Sequence, residues 1–421
     1  MRAVAIVDGE HYPPVVRDAI AELPYEFVAA VLVGGTEKLR DGDGGEGYGV
    51  PLANDVEEAI AAHDPEIVVD LSDEPVLGPV ERLALASRVL ARGLPYAGAD
   101  FRLDPPTLAA FELPSIGVVG TGKRVGKTAV TGHLARLAAR ERRVVVVAMG
   151  RGGPAEPETI VVPPTVASLV ELSRAGRHAA SDHLEIAALV GVETVGCRRC
   201  GGGLAGQVFA SNVAAGARIA VELEPDLVVF DGSGAALPPI AVDRRLVVVG
   251  GHQDPAVAAG YLNAFRLLLA DLVVVTMAEE GSGWEAVRAA ASAVARPGTK
   301  VVATVLRPRP AKSIEGRTVA YFCTAPPSAH ATLADHLADE HGARVVHVSG
   351  NLAHRVALHR ELEDVRAEVF LVELKAAAID VVAELALVNE ADVVLAANDV
   401  RARPGEQDLD EILLEMARIG L

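Results

Sequence analysis

The sequence predicts an α/β fold built on buried parallel strands. Short aliphatic runs alternate with helical patterns along the chain. Those runs are apolar throughout, as expected for strands covered on both faces by helices. In addition, 421 residues with 50% hydrophobic content can bury a core large enough for two or three domains.

The first hundred residues predict an α/β layer that lacks a phosphate-binding motif. Strands are predicted at 2–7, 27–33 and 66–71, and helices at 14–22, 56–62 and 80–92. The glycine-rich segment 40–49 predicts a mobile loop. Prolines cluster in 100–114, which includes Asp104-Pro105-Pro106 and Pro114, and this places the boundary of an N-terminal domain at 1–112.

Two further α/β units are predicted after this boundary. A central domain, 113–308, has strand candidates at 115–119, 144–149, 227–230, 246–249, 272–276 and 300–306. A second proline-rich break, Arg307-Pro308-Arg309-Pro310, then separates a C-terminal unit, 309–421. Its strand candidates lie near 319–323, 344–348, 369–373 and 393–396, and the unit either stands alone or docks onto the central sheet.

Residues 113–133 read as a strand, a glycine-rich turn and a helix start, which is the arrangement of a nucleotide phosphate loop. Gly120, Gly122 and Gly126 allow backbone angles at which successive N–H groups point at phosphate oxygens. Lys127 would reach the β- and γ-phosphates, and the Thr128 hydroxyl would bind Mg²⁺. The sequence therefore predicts a protein that consumes ATP or GTP, on a parallel-sheet P-loop NTPase domain flanked by a Rossmann-like N-terminal α/β domain and a C-terminal α/β unit.

The loop departs from the strict pattern G-x-x-x-x-G-K-[ST], in which the first glycine would stand at Thr121. Its register, G-T-x-x-x-V-G-K-T, resembles the phosphate loop of dethiobiotin synthetase and its relatives, a branch rich in ATP-dependent ligases. The residues predicted to bind the nucleotide are Gly120, Thr121, Gly122, Lys123, Arg124, Val125, Gly126, Lys127 and Thr128.

Charge and composition exclude several classes of partner. The net charge of -18 argues against broad binding of nucleic acid or of an anionic membrane. There is no uninterrupted apolar run of about 18 residues. Three cysteines exclude a disulfide scaffold, so a reducing cytoplasm is expected. Any anionic substrate must then be held by a local cationic pocket.

Polar residues directly after strands are the main candidates for chemistry, because ligands bind beyond the carboxyl ends of parallel strands. Asp231 follows the run PDLVVF, where an acid would hold Mg²⁺ directly or through water. Arg151 lies in Met149–Gly153 after another run and suits phosphate recognition, although a solvated Arg is an equal alternative. Residues 8–14 and 250–254 also follow strands, either facing a ligand or forming ordinary turns.

Two more segments carry candidate residues. Asp182 and Glu185 are three apart and would share one face of a helix, near His183, either to assist Mg²⁺ and proton transfer or to cap the helix. Arg198 and Arg199 lie among glycines, where a flexible backbone would let both clamp an anion. The predicted metal ligands are Thr128, Asp231 and Glu185, and the predicted catalytic residues are Lys127, Arg151, Asp182, Glu185, Arg198 and Arg199.

Cys197 and Cys200 form a C-x-x-C pair, which is half of a zinc site. No second C-x-x-C or H-x-x-x-H completes it, and Cys323 is the one other thiol. A zinc site within one chain is therefore not expected, and a site that bridges two chains stays open.

The ordered motifs DGEHYPP, GTGKRVGKT, AMGRGGP, SDHLE, GCRRCGGG, FDGSG and GGHQDP resemble the cyclic 2,3-diphosphoglycerate synthetase family over most of the chain. The resemblance implies an ATP- and Mg²⁺-dependent ligase that closes an intramolecular pyrophosphate bond in 2,3-diphosphoglycerate and releases ADP and phosphate. It implies nucleotide binding at Gly120, Gly122, Gly126, Lys127 and Thr128, with Asp231 as the acid on the metal side. It designates no catalytic base. A cytoplasmic homodimer with a small anionic substrate is expected.

Other functions remain open at this point. A small-molecule kinase, or a ligase for another phosphorylated acid, would use the same loop. A GTPase switch or metallochaperone would use Cys197 and Cys200, although the guanine-selecting string Asn-Lys-x-Asp is absent. The cations expected to neutralise phosphate charge are Lys123, Arg124, Lys127, Arg151, Arg198 and Arg199.

Overall fold

The computed structural model describes residues 1–35 and 45–420 and confirms the predicted α/β fold. Within these residues the strands form a six-stranded and a thirteen-stranded sheet. Part of the predicted mobile loop 40–49 lies outside the described residues. In the described part of the chain, no helix has the length and apolar character needed to cross a bilayer.

The six-stranded sheet is built from the N-terminal residues, and its order is β3-β2-β1-β4-β5-β6. Its strands are β1 (Arg2–Val7), β2 (Glu26–Leu32), β3 (Leu52–Ala53), β4 (Ile67–Asp70), β5 (Tyr96–Ala97) and β6 (Arg102–Leu103). Its helices are α1 (Pro13–Glu22), α2 (Gly45–Tyr48), α3 (Val56–His63) and α4 (Pro79–Ala91). Strands β1, β2 and β4 pair in parallel, so their carboxyl ends meet at one edge.

The large sheet begins with the strands of the phosphate-loop segment. These are β7 (Ser115–Gly120), β8 (Val144–Gly150), β9 (Glu158–Ile160), β10 (Glu193–Cys200), β11 (Ala210–Ser211), β12 (Leu227–Asp231), β13 (Arg244–Gly250), β14 (Leu272–Thr276) and β15 (Lys300–Pro310). The helices between them are α5 (Lys127–Ala138), α6 (Val166–Arg174), α7 (Asp182–Val190), α8 (Val213–Glu222), α9 (Pro255–Ala259), α10 (Asn263–Leu268) and α11 (Trp284–Val294). Strand β7 lies centrally, between β12 and β13.

The remaining residues complete the same sheet. Their strands are β16 (Thr318–Phe322), β17 (Arg344–Ser349), β18 (Val369–Glu373) and β19 (Asp392–Ala402), and their helices are α12 (His330–His341), α13 (Arg355–Asp364), α14 (Glu384–Val388) and α15 (Leu409–Ala417). Short 3₁₀ turns occupy Pro327–Ala329 and Asn351–Ala353, and a π-helix occupies Ala378–Ala383. The order of the whole sheet is β11-β10-β8-β12-β7-β13-β14-β15-β19-β18-β16-β17, with β9 on β10.

At the boundary predicted for the C-terminal unit, Arg307-Pro308-Arg309-Pro310 do not interrupt the secondary structure, because these residues continue β15. They pair with β19 in an antiparallel register. The N–H of Ala311 donates to the carbonyl of Leu395, so the alternate positions 308 and 310 turn away from β19. Proline is tolerated there because no ladder hydrogen bond is lost.

The β15–β19 ribbon sets the direction of the C-terminal strands. Thr304 pairs with Ala402 and Pro310 with Ala396, while β18 runs parallel to β19 and ends with Glu373 beside Ala396. The carboxyl ends of β16 and β18 therefore point back toward the carboxyl edge of the phosphate-loop strands, and the two edges face each other.

The N-terminal unit packs against a helix that covers one face of the phosphate-loop sheet. Helix α4 lies on α10, and the Ser87 hydroxyl donates to the carbonyl of Tyr261 at 3.0 Å. Leu85 and Val89 share one buried apolar cluster with Phe265 and Leu267. This contact fixes the N-terminal unit beside the central sheet.

Candidate active site

The predicted phosphate loop connects β7 to α5 in a conformation that requires glycine. A Cβ on Gly120 would lie 2.7 Å from Cγ2 of Val125, closer than side chains pack. Gly126 has a φ of 76° and directly precedes α5, and Arg124 has a φ of 60°. These left-handed residues fold the loop tightly onto the start of the helix.

Gly120 and Thr121, where the loop begins, form hydrogen bonds with other parts of the protein. The N–H of Gly120 donates to Gly234 at 2.9 Å and that of Thr121 to Val248 at 3.0 Å. The Thr121 hydroxyl donates to Oε1 of Gln253 at 2.6 Å. By contrast, the N–H groups of residues 122–126 donate to no acceptor in the described part of the chain. A run of unused amides before a helix start is an anion-binding arrangement.

Lys127 and Asp231 form a buried ion pair beneath this loop. The Lys127 Nζ lies 2.6 Å from Oδ1 of Asp231, and the two side chains are 7% and 0% exposed. Asp231 ends β12, the strand beside β7, so the strand order places its carboxylate next to the start of α5. The Thr131 hydroxyl, one helical turn after Lys127, donates to the same oxygen at 2.5 Å.

The second oxygen of Asp231 has no partner within the part of the chain that the structure describes. Its Oδ2 is buried and accepts no hydrogen bond in the described residues. Burial raises the pKa of Asp231, Lys127 opposes that change, and the nearby Asp182 carboxylate adds to it. A buried carboxylate oxygen that lacks a donor is an unfavourable arrangement unless a cation or a donor completes it.

Helix α7 carries Asp182 and Glu185 and places them near Asp231. The helix predicted for these two residues is confirmed. Glu185 is buried, and Nζ of Lys375 lies 4.0 Å from its Oε1. Burial raises the pKa of Glu185 to about 8; Lys375 opposes this rise, and Asp182 and Asp231 add to it. Both predicted carboxylates therefore lie within electrostatic range of the Lys127–Asp231 pair.

His183, on the same helix, is turned away into the protein. A Cβ on Gly196 would lie 2.6 Å from the His183 ring, so β10 packs directly on the imidazole. Burial lowers the pKa of His183 to about 4, and the ring is neutral near pH 7. Packing against β10 accounts for its position.

The two arginines predicted to clamp an anion lie on a strand and not on the flexible backbone that was expected. Arg198 and Arg199 belong to β10, and successive side chains on a strand point to opposite faces. Arg198 is exposed. Arg199 is half-buried and donates to the carbonyl of Ser233 at 3.0 Å. Burial lowers the pKa of Arg199, and the nearby Arg151 adds to this effect.

The remaining predicted cations lie around the phosphate loop. Lys123, Arg124 and Arg151 are exposed, and Arg151 follows directly after β8. A Cβ on Gly234 would lie 3.8 Å from Lys123 Cγ, so the Ser233–Gly234 turn that holds Arg199 borders the loop. The site thus has a carboxylate side, with Asp231, Asp182 and Glu185, and a basic side with these cations and Arg199.

Models of three domains of cyclic 2,3-diphosphoglycerate synthetase match this chain. The P-loop domain matches residues 115–305, the N-terminal domain residues 2–104 and the C-terminal domain residues 310–399. The chain belongs to the cyclic 2,3-diphosphoglycerate synthetase family. This confirms the resemblance carried by the motifs.

Two relatives show how far the similarity extends. Cyclic 2,3-diphosphoglycerate synthetase of Rubrobacter xylanophilus is 50% identical over 99% of this chain and 97% of its own. The protein of the same name from Methanothermus fervidus is 39% identical over 100% of this chain and 97% of its own. Like these synthetases, the chain is an enzyme of the ligase type.

In this member of the cyclic 2,3-diphosphoglycerate synthetase family, the C-x-x-C pair lies on β10 rather than in a loop. Cys197 is buried and Cys200 is exposed, because residues three apart on a strand face opposite sides. Among the described residues, no group of three or more His, Cys, Asp or Glu side chains is placed to hold a metal ion.

Two residues of the site were not predicted. Thr131 could have been found from its spacing, since position i+4 from Lys127 lies on the same helical face. Lys375 had no local signal, because the sequence places it far from the phosphate loop and only the β15–β19 ribbon brings it back.

Proposed function

We propose that this enzyme uses ATP and Mg²⁺ to close an intramolecular pyrophosphate bond in 2,3-diphosphoglycerate, with release of ADP and phosphate. The observation that carries the proposal is the set of unused amides at 122–126 above the buried Lys127–Asp231 pair. Membership of the synthetase family supports the choice of reaction.

The triphosphate is proposed to lie against the amides of residues 122–126 and the start of α5. These donors and the positive end of the helix favour phosphate oxygens. Lys127, close below, would exchange Asp231 for the β- and γ-phosphates when the nucleotide enters. The Asp231 carboxylate would then be free of its ion pair.

Asp231 and Thr128 are the residues that would hold Mg²⁺. The unpartnered Oδ2 of Asp231 fits a cation, because it is buried and receives no donor in the described residues. When bound, Mg²⁺ supplies neutralisation of phosphate charge. Asp182 and Glu185, within electrostatic range of Asp231, would take part through water or by holding a proton.

The reaction proceeds through two successive displacements at phosphorus. One phosphate oxygen of the acid attacks the γ-phosphorus of ATP, and the bond to the β-bridging oxygen breaks to release ADP. The second phosphate of the acid then attacks the inner phosphorus of the new anhydride, and inorganic phosphate leaves. The protein aligns these groups and offsets repulsion between anions. Arg199 and Arg151 at the basic side would serve this neutralisation.

Phosphorus NMR of the purified protein with ATP, Mg²⁺ and a panel of phosphorylated three-carbon acids tests the proposal. We expect ADP, inorganic phosphate and a cyclic pyrophosphate product from 2,3-diphosphoglycerate alone. A kinase would leave a new phosphoester without inorganic phosphate, and either that result or nucleotide hydrolysis without a third product would overturn the proposal.

Lys127→Ala should abolish product formation, and unchanged turnover would exclude the loop from the chemistry. The homodimer and the cytoplasmic location stay predictions.

A further inference from the structure

The carboxyl ends of β16 and β18 face the carboxyl edge of the phosphate-loop strands. The residues that follow β18 enter the space between these two edges. Ligands of parallel sheets bind beyond such strand ends. Here two edges of this kind oppose each other, because β19 returns along β15 and β18 follows β19. Residues just after β18 therefore lie where a second substrate would meet the nucleotide.

Lys375 is the cation at this position, two residues after the end of β18. Its N–H donates to the carbonyl of Glu373 at 2.8 Å, and the following Ala376 has a φ of 45°. Such a turn fixes the backbone and so fixes the start of the lysine side chain. The side chain is 30% exposed, which leaves part of it open to solvent.

The ammonium of Lys375 lies near carboxylates, yet its donors are unused among the described residues. Nζ lies 4.0 Å from Oε1 of Glu185, beyond hydrogen-bonding distance. No other acceptor in the described part of the chain receives a bond from it. By contrast, Glu373 accepts from Asn398 at 2.7 Å, from Tyr321 at 3.3 Å and from Thr324, so its carboxylate is already satisfied.

The ammonium of Lys375 lies in a negative environment, to which Glu373, Glu185 and Asp182 contribute. Its three N–H donors are unused within the described residues, and its side chain is partly open to a cleft. Such an ammonium is suited to a phosphate oxygen.

We propose that Lys375 binds a phosphate group of the acid substrate from the side opposite the phosphate loop. The facing strand edges, the 4.0 Å separation from Glu185 and the unused donors carry this inference. It rests on the proposed function and adds a substrate-binding residue from the C-terminal unit. The lysine would hold the acid's phosphate in line with the nucleotide and offset the nearby carboxylates.

Steady-state kinetics of Lys375→Ala and Lys375→Arg test the inference, with Lys312→Ala as the matched control. Lys312 is an exposed lysine of the same unit. For Lys375→Ala we expect the KM for 2,3-diphosphoglycerate to rise roughly 10- to 100-fold, as when a charge-assisted contact is lost. The KM for ATP should stay within about threefold, Lys375→Arg should recover part of the loss, and Lys312→Ala should match the wild type.

An unchanged KM for the acid in Lys375→Ala, or an equal rise in both KM values, would overturn the inference. If Lys375→Ala does not fold, Lys375→Gln retains the length and polarity of the side chain, and calorimetric binding of 2,3-diphosphoglycerate without ATP gives the same comparison. The wild type separates the two claims. A wild type that forms no cyclic product refutes the proposed function, whereas an active wild type with an unaffected Lys375 variant refutes this inference alone.

Discussion

Buried aspartates end strands at the carboxyl edges of both sheets, Asp70 on β4 and Asp231 on β12. Both oxygens of Asp70 are satisfied, since Ser72 donates to one, and Arg82 and Tyr96 donate to the other at 2.7 and 2.6 Å. Asp231 has donors on one oxygen and none on the other within the described residues. Equivalent places in similar sheets thus hold a carboxylate fixed for structure and one open to a ligand.

The same contrast extends to the neighbouring carboxylates. Burial alone would raise the pKa of Asp8, the residue directly after β1, but hydrogen bonds from the Asp73 amide and His11 lower it below its ordinary value of 3.8. Burial raises the pKa of Glu185 to about 8. Perturbation toward the neutral form, without full hydrogen bonding, is typical of functional carboxylates. The two edges should therefore respond differently to matched substitutions.

The largest expected effect is on turnover in Asp231→Asn. Asparagine keeps an oxygen for Lys127 and Thr131 but replaces the free carboxylate oxygen with an amide that repels a cation. We expect kcat to fall by at least about 100-fold, with the free energy of unfolding changed by less than about 2 kcal/mol. Phosphate-release kinetics and urea denaturation measure the two quantities. Near-normal turnover would contradict the claim that Asp231, unlike Asp70, is open to a ligand.

Asp70→Asn should give the reverse pattern. Every contact of Asp70 needs an acceptor, so an amide NH₂ must face a donor and leave Arg82 or Ser72 unpaired. We expect the free energy of unfolding to fall by about 3 kcal/mol, and kcat of the folded enzyme to stay within about threefold of the wild type. Urea denaturation and assays below the transition check this, and a stable but inactive variant would contradict it.

Glu185→Gln should change how stability depends on pH. Because the pKa of Glu185 is raised from 4.5 to about 8 on folding, its neutral form stabilises the protein fully below pH 4.5, and that contribution is lost as the pH rises toward 8. We expect the variant to match the wild type near pH 5 and to exceed it by on the order of 2 kcal/mol near pH 8. Parallel stability curves across this range would contradict the shift.

Asp8→Asn should show the opposite slope and the smallest effect. A lowered pKa gives stability that is present above pH 3.8 and is lost as the pH falls through the folded-state value. The variant should therefore be less stable than the wild type by about 1 kcal/mol at pH 7, and the difference should disappear in acid. Thermal unfolding at pH 3 and pH 7 measures it. An equal loss at both pH values would show that packing, and not charge, is responsible.

Local sequence predicted the phosphate loop and the Asp182–Glu185 helix, because each lies in one short segment whose spacing fixes its geometry. Local sequence was insufficient where pairing between distant segments determines the structure. Pro308 and Pro310 indicated an interruption of the secondary structure, yet both continue β15 and face the side of it that β19 leaves free. Strand β10 was not predicted, because its glycine and cysteines do not read as an aliphatic run. Arg198 and Arg199 were therefore expected on a flexible backbone and not on a strand. Lys375 was missed for the same reason, since its place depends on the direction of β18.

A crystal structure with ATP and Mg²⁺ tests the central claim most directly. We predict the triphosphate against the amides of residues 122–126, with Lys127 Nζ moved from Asp231 to the phosphates and the Asp231 carboxylate turned to the metal. An empty loop with the Lys127–Asp231 pair intact at saturating nucleotide would contradict the account.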